Sequence, residues 1–129
     1  MILIDSDILI AHLRGLPAAR TWLIDVREQT GKLAVSAISV TEITGGMRSA
    51  ERSSVWHLLD SMQVEPVSEI VSRDAGDLMR KYRRSHGGIG LADYLIAATA
   101  RSKGLEFATL NVKHFPMFAR LRAPFRVPA

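Results

Sequence analysis

The sequence lacks cysteine altogether, and this absence excludes three kinds of chemistry. Disulfide bonds, thiolate nucleophiles and cysteine-ligated zinc sites all need that side chain. A chain without cysteine is typical of a reducing compartment, so we expect a cytoplasmic protein. No apolar run reaches the roughly 20 residues that a transmembrane helix needs. No basic region precedes the first apolar residues either, so a signal peptide is not expected.

Acidic residues are outnumbered by basic ones, which gives a formal net charge of +4 and a pI near 10.0. This charge indicates either an ordinary basic surface or a polyanionic partner, such as nucleic acid or an acidic protein segment. The 129 residues are enough for one domain with a hydrophobic core and too few for two ordinary ones. Neither an internal repeat nor a linker divides them, so the sequence predicts a single domain over residues 1–129.

Short apolar runs alternate with helical patterns along the chain. Strands are predicted at residues 2–4, 33–36, 64–67 and 106–110, with a possible last strand at 125–127. Helices are predicted at 18–28, 53–62, 68–84 and 91–103, and Ile70 is assigned to the buried side of the third of these. The alternation predicts an α/β fold with a mostly parallel central sheet.

Two further helices are predicted to begin close to acidic residues. Ser6 or Asp7 is expected to cap the first helix of the chain. Ser39 or Thr41 is expected to cap a later helix that carries Glu42 in its first turn. Asp7 has a second interpretation, as part of a metal site, and capping is the favoured one.

Three acids occupy comparable places in this scheme. Asp5 ends the first apolar strand, Glu42 follows the second strand, and Asp93 lies in the first turn of the helix at 91–103. The ends of parallel strands and the starts of the following helices share one edge of a sheet, so the three carboxylates can converge there. Converging carboxylates repel one another, and a divalent cation relieves that repulsion. Oxygen ligands favour Mg²⁺ or Mn²⁺, which can activate water to attack phosphorus. Taken singly, Glu42 and Asp93 are equally well explained as acids that complement a helix dipole.

Four segments resemble the PIN-domain ribonucleases, and in particular the VapC-type toxins of bacterial toxin–antitoxin pairs. The segments are Ile-Leu-Ile-Asp-Ser at 2–6, Ser-Val-Thr-Glu at 39–42, Leu-Ala-Asp-Tyr-Leu-Ile-Ala-Ala at 91–98, and Ala-Thr-Leu-Asn at 108–111 followed by His-Phe at 114–115. Their order and spacing agree with the family over essentially the whole chain. The resemblance implies a three-layer α/β/α sandwich, a Mg²⁺-dependent endoribonuclease for which Mn²⁺ can substitute, and a homodimer. It also implies inhibition by an antitoxin protein, whose segment lies across the site in a hetero-oligomer.

The resemblance also assigns roles to residues of this chain. Asp5, Glu42 and Asp93 are the implied catalytic acids, with Asp5 and Asp93 nearest the metal. The implied polar support comes from Ser6, Thr109 and Asn111.

The chain departs from the family at His114, where many relatives have a fourth acid. No Asp or Glu follows Glu106, so no other acid replaces it. His114 can hydrogen-bond a water or a phosphate, or it can pack beside Phe115, which is the favoured interpretation. The departure leaves open whether one metal ion binds or two.

A basic cluster ends the helix predicted at 68–84. Its members are Arg80, Lys81, Arg83 and Arg84. They are predicted either to contact RNA phosphates beside the site or simply to complement the negative end of the helix. Arg48 with Arg52, and the arginines at 120, 122 and 126, are weaker candidates for RNA contact.

Two other functions fit parts of the sequence. Asp5-Ser6-Asp7 also resembles the opening of haloacid-dehalogenase-type phosphatases, in which Asp5 would be the nucleophile. That family has a late pair of acids, and this chain has no acid after Glu106. The second alternative is a PIN-like binding module whose catalysis is weakened by His114. Metal-dependent cleavage of single-stranded RNA separates the endoribonuclease from both.

Overall fold

The centre of the fold is a sheet of four parallel strands. A computed structural model describes residues 1–128. The strands are β1 (Ile2–Ile4), β2 (Ala34–Ser36), β3 (Gln63–Glu65) and β4 (Glu106–Ala108), in the order β3-β2-β1-β4. The helices are α1 (Ser6–Leu13), α2 (Pro17–Thr30), α3 (Ala37–Gly46), α4 (Arg52–Asp60), α5 (Glu69–Tyr82) and α6 (Leu91–Lys103). The predicted α/β class and parallel sheet are confirmed.

Strand β1 is buried on both faces because it lies between two strands and two layers of helix. Leu3 is in register with Ala34 of β2 and Phe107 of β4. Ile2 and Ile4 pack into an apolar cluster with α1, α2 and α4, whereas Leu3 packs on the opposite face with α5 and α6. This alternation gives the three-layer α/β/α sandwich that the resemblance implied. No helix within residues 1–128 is both long and apolar enough to cross a bilayer.

The ends of two helices agree with their sequence signals. The Ser68 hydroxyl accepts a hydrogen bond from Val71 N at 3.2 Å and so caps α5. Helix α6 spans the residues predicted for it and ends at Gly104, whose φ of 63° is the left-handed conformation that glycine adopts without strain.

Both predictions for the caps of α1 and α3 are wrong. Asp5 caps α1, which begins at Ser6, and Ser36 caps α3, which begins at Ala37. Each cap is the residue at which its strand ends, so strand and helix meet without a loop between them. Glu42 consequently lies in the second turn of α3 and not in the first.

Two other predictions are corrected. Residues 125–127 form no strand; instead Phe125 packs against Trp22, with ring centroids 6.3 Å apart. Ile70 is 73% exposed, because the buried stripe of α5 runs through Val71, Ala75 and Leu78. Ile70 precedes that stripe by one residue, a rotation of about 100° around the helix.

Candidate active site

Asp5 occupies the centre of the sheet's C-terminal edge. Its amide donates to Ala108 O at 2.9 Å, which extends the pairing of β1 with β4 by one residue. Its Oδ1 accepts from Ser6 N at 2.8 Å, so the carboxylate also faces the N-terminus of α1. The residue is only 5% exposed. A buried carboxylate is thus fixed where a central strand becomes a helix.

One hydroxyl lies within hydrogen-bond distance of two carboxylates at this edge. Thr109 Oγ1 lies 2.7 Å from Asp5 Oδ2 and 3.2 Å from Asp7 Oδ2. Asp7 Oδ2 also accepts from Leu110 N at 3.0 Å, whereas its buried Oδ1 has no partner within residues 1–128. A hydroxyl has one proton to donate, so the two carboxylates cannot both be satisfied by Thr109 at once.

The electrostatics of this pair favour protonation. Burial, followed by the neighbouring charge of Asp7, raises the pKa of Asp5 to about 7, although Thr109 and Ser6 donate to its carboxylate. Burial also raises the pKa of Asp7. No lysine or arginine within residues 1–128 forms an ion pair with either acid. The two acids therefore carry more negative charge than their neighbours neutralise.

Glu42 joins the site through Ser6. Ser6 Oγ donates to Glu42 Oε1 at 3.0 Å and lies 3.4 Å from Asp5 Oδ1. The Glu42 side chain reaches Ser6 from α3, whose second turn faces the start of α1. Glu42 is exposed, in contrast to Asp5, so it lies on the solvent side of the site.

Asp93 joins the site from the other side, through His114. Asp93 Oδ2 accepts from Gly90 N at 3.1 Å and lies 3.0 Å from His114 Nδ1. His114 Nδ1 is also 2.9 Å from Asn111 Nδ2, and Asn111 N donates to Thr109 Oγ1 at 3.0 Å. A continuous series of polar contacts thus links Asp93 to Thr109.

The structure therefore brings together every site residue that the resemblance implied. Through Thr109 the series continues to Asp5, and Ser6 extends it to Glu42. The preference for a packing role of His114 is wrong, because its ring makes polar contacts while Phe115 beside it is buried in the core.

Asp7 is the residue whose place the sequence reasoning missed. It was favoured as a helix cap, yet its carboxylate reaches across to Thr109 and Leu110 after β4. The spacing of Asp5 and Asp7 was the available signal. What sequence could not supply was the partner, which lies more than 100 residues later in the chain.

The basic cluster at the end of α5 lies at the same end of the molecule as Asp93. Arg101, late in α6, lies 3.6 Å from Asp74, early in α5, so the two helices run antiparallel. The C-terminus of α5 therefore approaches the N-terminus of α6. The four basic residues are exposed there.

Nearly the whole sequence matches one known protein family. The profile of the PIN domain family matches residues 2–121. The chain belongs to the PIN-domain family. This assignment decides against the haloacid-dehalogenase-type phosphatase.

Named relatives of this PIN domain extend over nearly its full length. It is 61% identical over 128 residues to Ribonuclease VapC10 of Mycobacterium tuberculosis, covering 99% of this chain and 96% of that protein. It is 39% identical over 125 residues to Ribonuclease VapC19 of the same species, covering 97% of this chain and 100% of that protein.

Solved structures share the fold of this PIN domain. A chain of a toxin–antitoxin complex from Klebsiella pneumoniae superimposes with a TM-score of 0.82 at 23% identity, covering 98% of this chain and 100% of that one. A chain of FitAcB from Neisseria gonorrhoeae gives 0.76 at 25% identity, covering 98% and 100%.

The donor set of the PIN domain suits a cation that keeps most of its water. Within residues 1–128, no three His, Asp or Glu side chains are arranged to hold one metal ion between them. One or two carboxylates are, however, all that Mg²⁺ usually takes from a protein. The unpartnered Asp7 Oδ1 and the unneutralised charge around Asp5 are the features that such a cation would relieve.

Proposed function

We propose that the protein is a metal-dependent endoribonuclease and the toxin of a toxin–antitoxin pair. The observation that carries the proposal is the buried Asp5 carboxylate, which is linked to Asp93 through Thr109, Asn111 and His114. Within residues 1–128 this carboxylate has no lysine or arginine partner. The full-length similarity to VapC10 and VapC19, both named ribonucleases, supports RNA as the substrate. Cellular RNA is cytoplasmic, so this function places the protein in the cytoplasm.

Asp5 and Asp93 are the residues that would hold the metal, with Mg²⁺ as the expected ion and Mn²⁺ as a substitute. A bound divalent cation would supply activated water and positive charge for the developing phosphorane. Thr109 and Ser6 fix the Asp5 carboxylate by donating to its oxygens, while Gly90 N and His114 fix that of Asp93. Glu42 is placed at the solvent side, where it can accept a proton from the attacking water.

Asp5→Asn tests the catalytic role, because it keeps the shape of the side chain and removes its charge. We expect loss of Mg²⁺- or Mn²⁺-dependent cleavage of a generic single-stranded RNA, and loss of growth arrest on induction. Asp77→Asn on the exposed side of α5 is the matched control and should cut normally. Undiminished cleavage by the Asp5 variant would contradict the proposal. RNA binding without cleavage by the unaltered protein would favour the weakened binding module.

The basic cluster is proposed to hold RNA phosphates beside the site. Its support is its position at the end of α5 that approaches Asp93. Changing Arg83 and Arg84 to Ser should weaken binding to every RNA and reduce the slope of log K against log salt by about 0.7 per lost contact. An unchanged slope would show that these arginines only complement the negative end of α5 and do not contact RNA.

An antitoxin protein is the proposed partner. The structures similar in fold include several whose names describe toxin–antitoxin or VapBC complexes, which supports this proposal. The acids of the site would attract a cationic side chain of such a partner. Co-purification from native cells followed by mass spectrometry would identify it, and a protein that is isolated alone and harmless when overproduced would count against it.

We also propose that the protein forms a homodimer, alone and within the antitoxin complex. Exposed apolar side chains such as Ile70 and Trp56 are compatible with a subunit interface. Sedimentation at micromolar concentration tests the assembly directly, and a monomeric mass would refute it.

A further inference from the structure

His86 follows the basic cluster, and its ring is restrained although the residue is exposed. Its amide donates to Tyr82 O at 2.8 Å. Its ring Nδ1 lies 2.8 Å from Ser85 Oγ, and the ring meets that of Tyr82 in an edge contact with centroids 5.5 Å apart. A backbone, a hydroxyl and an aromatic contact thus orient an imidazole that stays open to solvent.

The chain after His86 leads directly to the candidate active site. Gly88 lies two residues further on, and a Cβ on it would come within 3.8 Å of His114 Nε2. Two residues span at most about 7 Å, so His86 lies close to the imidazole that contacts Asp93. Apart from its chain neighbours, a Cβ on Gly87 would meet no atom of residues 1–128 within 4 Å. Open space therefore adjoins the segment between His86 and Gly88.

The surface around His86 attracts polyanions. Arg83 and Arg84 are exposed, and within residues 1–128 neither forms an ion pair. Lys81 Nζ lies 5.3 Å from the centroid of the Tyr82 ring, which leaves His86 as the more accessible aromatic ring of the pair. Sites for single-stranded RNA combine these two features, since cations bind the phosphates and unpaired bases stack on aromatic rings.

We propose that His86 stacks on an unpaired base of an RNA strand that runs from the basic cluster to Asp93. The residue would position the strand and take no part in the chemistry. Stacking is tolerant of sequence, so this contact would favour single-stranded over paired RNA without choosing a particular base. The inference rests on the proposed function, because it requires RNA to lie across the candidate site.

Fluorescence anisotropy in EDTA measures RNA binding without cleavage. The probes are a short, unstructured, end-labelled RNA and an oligomer of the same length made of abasic ribose units. We expect His86→Ala to weaken binding of the RNA about tenfold and to leave binding of the abasic oligomer unchanged. His86→Phe should restore the affinity, because it keeps an aromatic ring, whereas His86→Lys keeps only a charge and should not. His57→Ala, at an exposed histidine late in α4, is the matched control and should bind both probes normally.

Equal losses for the two probes in His86→Ala, or rescue by Lys and not by Phe, would overturn the inference and make His86 a phosphate contact. Unaltered RNA binding in His86→Ala would overturn it as well.

Cleavage assays separate this inference from the proposed nuclease. With Mg²⁺ or Mn²⁺ present, we expect His86→Ala to raise KM about tenfold with little change in kcat, because the contact binds substrate and transition state alike. Normal cleavage by every His86 variant would reject the stacking contact and leave the nuclease standing. Base-dependent binding through His86 without any cleavage would uphold the contact and favour the binding module. An unaltered protein that neither binds nor cuts RNA would reject both proposals.

Discussion

Replacing Asp5 with Asn should stabilise the metal-free protein at alkaline pH and not at acid pH. The pKa of Asp5 is raised from 3.8 to about 7 in the folded protein, mainly by burial. Folding therefore favours the protonated carboxyl. The free energy that this protonated group contributes to the unaltered protein is lost as the pH rises through 7. This raised pKa makes the unaltered protein less stable than the Asn variant by about 4 kcal/mol above pH 7 and by less than about 1 kcal/mol at pH 4.

The substituted amide fits the hydrogen bonds already present. An Asn at position 5 can accept from Ser6 N through its oxygen and donate to Thr109 Oγ1 through its nitrogen. Thr109 can then direct its own proton to Asp7, 3.2 Å away. The substitution thus removes the charge and keeps the contacts with Ser6 N and Thr109, so the stability gain is not offset by the loss of either hydrogen bond.

Urea unfolding in the presence of EDTA at pH 4, 6 and 8 measures this prediction. We expect the variant and the unaltered protein to differ little at pH 4, and the variant to be more stable by about 4 kcal/mol at pH 8. Asp77→Asn, on an exposed position, should show no such divergence. A stability difference between the two proteins that does not depend on pH would refute the assignment of a destabilising buried charge to Asp5. A variant that is less stable at pH 8 would refute it as well. Added Mg²⁺ should narrow the gap by stabilising only the unaltered protein.

Three further predictions concern stability alone. Thr109→Val should cost about 1–3 kcal/mol by denaturant unfolding, because it removes the donor shared by the buried Asp5 and the half-buried Asp7, and Thr109→Ser should retain most of that stability. Gly104→Ala should cost about 1 kcal/mol, since the φ of 63° suits glycine; an equal or higher unfolding midpoint would contradict the left-handed cap. Ile70→Lys should change stability by less than about 0.5 kcal/mol, whereas Val71→Ala should cost about 1–3 kcal/mol; similar losses for both would show that α5 is rotated.

The sequence predicted the strands and the acid that ends β1, because a run of buried apolar residues followed by Asp5 is a local pattern. The caps of α1 and α3 were misplaced by one to five residues for a physical reason. At Asp5 and Ser36 one residue both ends a strand and caps a helix, so the chain contains no separate turn signal between them.

Contacts distant in sequence were beyond local reasoning. The partners of Asp7 lie after β4, and that of His114 lies in α6. The local sequence around either residue therefore does not reveal its contacts. The convergence of Asp5 and Asp93 could be anticipated only through the rule that parallel strands end at one edge. The rule gives the edge but not the connecting residues, Thr109 and Asn111, whose roles came from the family resemblance.

The position of β1 between β2 and β4 has a consequence for how the protein folds during translation. Of the four strands, β1 is synthesised first, and it cannot complete its hydrogen bonding until residues 106–108 have left the exit tunnel. Thr109, which donates to Asp5, emerges later still. The candidate site is therefore incomplete on the nascent chain through most of its translation, and we expect the proposed activity only after nearly all of this domain has been made.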